Sequence, residues 1–168
     1  LGVSGHNVKG QIDMINKAEA TQRWDVAGVG YFIKAWGWLS ATGTYGELPV
    51  KQAWDQTRYY FDYDTQEYAY SEVLRLIDLS IANLKRTDGI VDATTWRAQD
   101  KVYSGDRTKW LKAAYGLKAI ALNHFSAKSV ANAVMIKQQL GEPIEGAYPP
   151  EFVERYPDVR DLVAIGSG

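Results

Sequence analysis

Two stretches concentrate the side chains that could do chemistry. "AWDQTRYYFDYD" carries Trp54, Arg58, Tyr59 and Tyr60 beside Asp55 and Gln56, and "TTWRAQD" carries Trp96 and Arg97 beside Gln99 and Asp100. Neither stretch keeps a sustained period, so each reads as an irregular loop. Aromatic faces mixed with guanidinium, amide and carboxylate groups suit a ligand that presents flat C–H faces ringed by hydroxyls, as a sugar does. Trp54, Arg58, Tyr59, Tyr60, Trp96 and Arg97 are therefore the candidate glycan contacts. The competing reading is that these aromatics pack down as hydrophobic plugs, the commoner fate of any single loop aromatic.

Signatures of catalysis are poor. The two histidines, His6 and His124, are far apart in the sequence, and no H-E-x-x-H, P-loop or G-x-S-x-G pattern occurs, so neither a triad nor an enzyme is expected. The lack of cysteine removes disulfides, thiol nucleophiles and thiolate metal sites. "DYDTQE" matches an acidic calcium loop for two positions, but Glu67 stands where that loop needs glycine. No metal and no cofactor is predicted. Two alternatives to sugar binding stay open: a tetratricopeptide-like scaffold that binds a protein partner, and a helical-barrel glycoside hydrolase whose paired carboxylates meet across a cleft.

The 168 residues are 46% hydrophobic and carry a formal charge of −1, enough for one domain with a continuous core. The charge is spread without long runs, so the footprint of a nucleic-acid or anionic-membrane binder is missing. No apolar stretch approaches the roughly 18 residues that span a bilayer. The start at Leu1 and the closing "GSG" suggest a processed or truncated chain.

Helices must position the loops. Val8, Ile12 and Ile15 step by four and three, predicting a short amphipathic helix. From Trp24 onward, Trp24, Ala27, Tyr31, Ala35 and Trp38 form one stripe, and Phe32, Trp36 and Leu39 a second. A helix apolar nearly all round is expected to pack between others, with its tryptophans in the core. On that expectation Trp36→Ala would cost about 3 to 5 kcal/mol if the ring is fully buried. "YGELP" stops this helix, because Gly43 and Gly46 give permissive backbone and Pro49 keeps Leu48 out of the helical region. Asp64 is expected to cap the next helix, with Glu67 completing a capping box and Val73, Ile77, Ile81 and Leu84 along its stripe. "TDGIVDATTWRAQDKVYSG" reads as irregular. Asp106 caps a further helix lined by Trp110, Ala114, Leu117, Ala121 and Phe125, and Val130, Ala133, Ile136 and Leu140 form its hairpin partner. No segment alternates with period two, so the predicted class is all-α. The expected domains are a helical domain at 1–146 and a proline-containing connector at 147–168.

Three blocks, "AWGWLSATGTYGELPVKQAWD", "FDYDTQEYAYSEVLRLIDLSIANL" and "DKVYSGDRTKWLKAAYGLKAIALNHFS", resemble in order the SusD/RagB-like outer-membrane nutrient-binding lipoproteins. Glu47 replaces that family's aspartate after Tyr-Gly, Lys34 its arginine, and Ala114-Tyr115-Gly116 its alanine-asparagine-serine run. Trp24, Gly28 and Tyr31 match half of a tetratricopeptide pattern, with Ala27 at the leucine position. The resemblance implies antiparallel helix pairs stacked as a degenerate, tetratricopeptide-like right-handed superhelix with long aromatic loops. It also implies a non-enzymatic binder of oligo- or polysaccharide on the outer face of the outer membrane, beside a TonB-dependent transporter. Its membrane attachment would be a lipid anchor outside this segment.

Overall fold

The computed structural model describes residues 5–53, 55 and 57–126. Those residues form five helices: α1 (Gly5–Ala20), α2 (Trp24–Tyr45), α3 (Gln66–Lys85), α4 (Ala93–Gln99) and α5 (Arg107–Ser126). Strand structure among them is limited to a single antiparallel bridge between Leu48 and Asp64, so the all-α expectation holds there. The chain divides into two units, Leu1–Val91 and Asp92–Gly168. The predicted hairpin partner at 130–140 and the expected boundary at 146/147 lie outside the described residues.

In the first unit α2 is the central helix, in contact with both α1 and α3. Its course against α3 is antiparallel. Near the start of α2 the Gly28 carbonyl accepts the buried Ser80 hydroxyl at 2.7 Å, while near its end the Thr42 carbonyl accepts the Gln66 side-chain amide at 2.9 Å. α1 folds back on the other side, where Glu19 accepts the Tyr31 hydroxyl at 2.7 Å. Burial and that hydrogen bond push the Tyr31 pKa up to about 12.

Of the stripes read on α2, Ala27, Ala35 and Leu39 are buried as expected, whereas none of the large aromatics is. Ala27, Gly28, Gly30, Ala35, Leu39 and Thr42 are inside, mostly small side chains that let neighbouring backbones come close. A Cβ on Gly28 would lie 2.7 Å from Leu84 Cγ, and one on Gly30 would lie 2.6 Å from Ile15 Cγ1. Trp36 is 58% exposed, correcting its expected place in the core. It follows Ala35 directly, and one residue further around a helix is about 100° away from the buried face. Trp38 is only half-buried, and so is Trp24, whose ring lies 3.7 Å beneath the Arg86 guanidinium as a cation–π pair. Of the four tryptophans placed on apolar stripes, Trp24, Trp36, Trp38 and Trp110, Trp110 alone is fully in a core, at 4% exposure.

The stop at "YGELP" is as expected. α2 ends at Tyr45, Gly46 takes φ +78°, and its N–H donates to the Thr42 carbonyl at 2.9 Å. At the start of α3 the cap is Thr65 rather than Asp64. The Thr65 hydroxyl accepts from the Tyr68 amide at 3.3 Å, because Asp64 is held in the bridge to Leu48.

In the second unit "DATTWRAQ" is not irregular. Asp92 accepts from the Thr95 amide at 3.0 Å and starts α4, a short helix the absence of an apolar stripe had concealed. α5 is capped by Asp106, which accepts from the Thr108 and Lys109 amides. Trp110, Ala114, Leu117 and Ala121 are buried as the stripe predicts. Between α4 and α5, the Asp100 carboxylate accepts the Trp110 indole N–H at 2.7 Å and the backbone N–H groups of Val102, Tyr103 and Gly105. Burial works against ionisation of Asp100, but the Trp110 bond and the backbone N–H groups outweigh it and hold its pKa below the ordinary value. Tyr103 meets Trp110 edge-on with ring centroids 4.9 Å apart.

Replacing Gly28 with valine should lower the unfolding free energy by about 1–3 kcal/mol through overpacking against Leu84. Trp36→Ala should stay within about 0.5 kcal/mol of the parent protein, as expected for an exposed site. Urea denaturation of the two variants checks both.

Candidate functional site

The segment between α2 and α3 is tied shut at its base. Leu48 and Asp64 exchange two backbone hydrogen bonds, Asp64 N–H to the Leu48 carbonyl at 2.9 Å and Leu48 N–H to the Asp64 carbonyl at 3.3 Å. The Asp64 carboxylate accepts from the Lys51 amide at 2.9 Å and pairs with the Lys51 ammonium at 2.8 Å. The hydrogen bond from Lys51 holds the Asp64 pKa below its ordinary value, and Lys51 is correspondingly raised. One step further out, Gln52 and Asp62 make a reciprocal pair: the Gln52 amide donates to the Asp62 carboxylate at 3.0 Å and its oxygen accepts the Asp62 N–H at 2.9 Å.

Towards the tip, Asp55 takes over. Its carboxylate accepts the Thr57 N–H and hydroxyl and pairs with Arg58 Nε at 2.8 Å. The bonds from Thr57 hold the Asp55 pKa below the ordinary carboxylate value, opposed by desolvation and assisted by Arg58. Arg58 thus bonds within the loop. Tyr59 and Tyr60, which follow it, are 94% and 91% exposed. The plug reading therefore fails for these two rings, which face solvent from a cross-bonded loop. Trp54 lies outside the described residues.

The other two candidates sit on α4 in the second unit. Trp96 is half-buried and Arg97 exposed, and the Trp96 carbonyl accepts the Asp100 N–H at 2.8 Å. The backbone of Arg97 lies so near Gly105, at φ +75°, that a Cβ there would come within 3.2 Å of Arg97 Cα. Each candidate group belongs to its own unit.

The sequence stripes did not single out a pocket in the first unit with a volume of about 420 Å³. α2 contributes Lys34 and Trp38, α3 contributes Tyr68, Glu72 and Arg75, and the segment between them contributes Val50 and Lys51. Arg75 grips Glu72 through Nε and Nη2 at 2.7 and 2.8 Å, and the Lys51 ammonium sits 4.0 Å above the Tyr68 ring. The signal was present in the spacing: Lys34 and Trp38 are four apart, and Tyr68, Glu72 and Arg75 follow at four and three, each set sharing one helix face.

Among the described residues, no group of three or more His, Asp or Glu side chains is placed to hold a metal ion, and no helix is long and apolar enough to cross a membrane.

Residues 6–147 match the family SusD-like_2, whose description is "Starch-binding associating with outer membrane". No curated protein matches the chain, and no solved structure does.

Because the folded pKa of Asp64 is depressed, its contribution to loop closure is complete above the ordinary value of 3.8 and is lost as pH falls below it. In an NMR titration the Lys51 amide proton should therefore shift with a midpoint below 3.8 in the parent protein. It should show no such titration in Asp64→Asn.

Proposed function

The chain belongs to the SusD-like family, and from that premise we propose that it is a non-enzymatic binder of glycans or related nutrients at the outer-membrane surface. In this reading it hands its ligand to a TonB-dependent transporter and is held at the membrane by a lipid anchor outside this segment. The helices of the first unit, running back and forth with glycine at a close crossing, are read as the opening layers of a tetratricopeptide-like right-handed superhelix.

The observation that carries the proposal is the presentation of Tyr59 and Tyr60. Two adjacent rings turned almost wholly to solvent lose the burial that usually repays an aromatic side chain. A loop cross-bonded by Asp55, Gln52 and Asp62 limits the ordering cost of binding, since the backbone beneath the rings is already fixed. The pyranose C–H face is the natural partner for such a ring, with Arg58 available beside it as a donor to hydroxyls. Trp96 and Arg97 supply a second aromatic-plus-guanidinium pair, in the second unit.

The double variant Tyr59→Ala, Tyr60→Ala should weaken saccharide binding by about tenfold or more, equivalent to about 1.4 kcal/mol. Its melting temperature should be unchanged, because neither ring contributes burial. Isothermal titration of the full chain with malto-, xylo- and manno-oligosaccharides, followed by product analysis, checks this. Unchanged affinity in the double variant would remove the tyrosines from the site, and cleavage of the sugar would replace binding with glycoside hydrolysis.

A further inference from the structure

The pocket beneath the loop is walled on one side by a row of α3 side chains. Tyr68, Glu72 and Arg75 follow one another at four and three residues, so a phenol, a carboxylate and a guanidinium share one face of the helix. Each keeps hydrogen-bonding capacity. The Tyr68 hydroxyl makes no hydrogen bond among the described residues, although its ring is held beneath the Lys51 ammonium. Glu72 gives one carboxylate oxygen to Arg75 Nε at 2.7 Å and the other to Nη2 at 2.8 Å, and each oxygen has a second lone pair. On the guanidinium, Nη1 lies outside that pair. The Glu72 side chain is 16% exposed and that of Arg75 57%, so the acceptor sits deeper than the donor.

We infer that this row is the subsite that decides which sugar is bound, by reading the hydroxyls of one pyranose ring, while Tyr59 and Tyr60 contribute stacking. The inference rests on the saccharide-binding reading above and deepens it by locating specificity. A sugar stacked on a tyrosine face offers its C–H groups, and most of these are shared between epimers, so contacts at the tip discriminate little. Hydroxyls that meet a phenol, a carboxylate and a guanidinium must instead match donor to acceptor. A site whose polar groups are left unpaired by the wrong ligand loses affinity steeply. The volume of about 420 Å³ lies within the range of small-molecule sites.

The row is set before a ligand arrives. Arg75 and Glu72 hold each other through two hydrogen bonds, and the bond from Glu72 raises the Arg75 pKa against desolvation. Tyr68 is pinned through its ring by Lys51, which is itself tied to Asp64. Donor and acceptor directions are therefore fixed, and little ordering is left to be done on binding. Because Arg75 and Glu72 already meet each other, a neutral hydroxyl gains a hydrogen bond to a charged group without having to neutralise one.

The test is isothermal titration of the full chain with malto-, cello-, manno- and xylo-oligosaccharides of equal length. The parent protein should bind its best sugar about tenfold or more tightly than its weakest measurable one. Tyr68→Phe leaves the ring beneath Lys51 and should cut that ratio about threefold or more, by weakening the best sugar most. Glu72→Gln should do the same, and it carries the test if Tyr68→Phe does not fold. The double variant Tyr59→Ala, Tyr60→Ala should weaken all four sugars alike and keep the ratio. Three results overturn the assignment of specificity while the saccharide reading stands: a parent that does not discriminate, a pocket variant that keeps the ratio or loses all four sugars equally, or a tip variant in which the ratio collapses. If none of the four sugars binds the parent protein, both readings fall.

Discussion

The two backbone hydrogen bonds between Leu48 and Asp64 are the constraint from which the candidate site follows. A segment of this length between two helices would ordinarily spend much of its binding free energy on becoming ordered. Here the base is pinned, and Asp64 adds its carboxylate to Lys51, so one residue closes the loop through both main chain and side chain. That closure also places Lys51 over Tyr68 and among the residues lining the pocket. Loop tip and pocket therefore share one anchor, the first presenting rings and the second presenting charge.

Beneath the loop, α2 and α3 come close because α2 carries glycine and alanine where the helices meet. Gly28 admits Leu84 and leaves its carbonyl to the Ser80 hydroxyl, and a buried carbonyl satisfied by a buried hydroxyl fixes register as well as contributing energy. The same choice of small residues at the contact explains why the large aromatics of α2 stand at its margins. Trp38 lines the pocket and Trp36 faces outward. An aromatic-rich helix can thus be central to a fold without burying any of its rings completely.

Much of the framework was legible because periodicity and end signals reflect local physics. The stop after Tyr45 follows from Gly46 and Pro49, the burial on α5 follows from the 4-3-4 spacing of Trp110, Ala114, Leu117 and Ala121, and α3 ends where its apolar stripe ends. What failed depended on contacts between distant residues. Asp64 had the right side chain for a cap, but its pairing with Leu48 and Lys51 displaced the cap to Thr65. α4 was missed because a short helix with no buried residue has no stripe to read. Tyr59 and Tyr60 were identifiable by type, yet their exposure depends on bonds made by Asp55, Gln52 and Asp62 that no spacing rule specifies.

The central claim is that the loop is ordered before any ligand arrives. Amide hydrogen exchange of the full chain, with and without a bound saccharide, addresses it directly. The account predicts that the amides of Leu48, Lys51 and Asp64 are protected in the free protein and that saccharide adds protection only around 58–60. Exchange of residues 48–64 at the rate of an unstructured peptide in the free protein would contradict it.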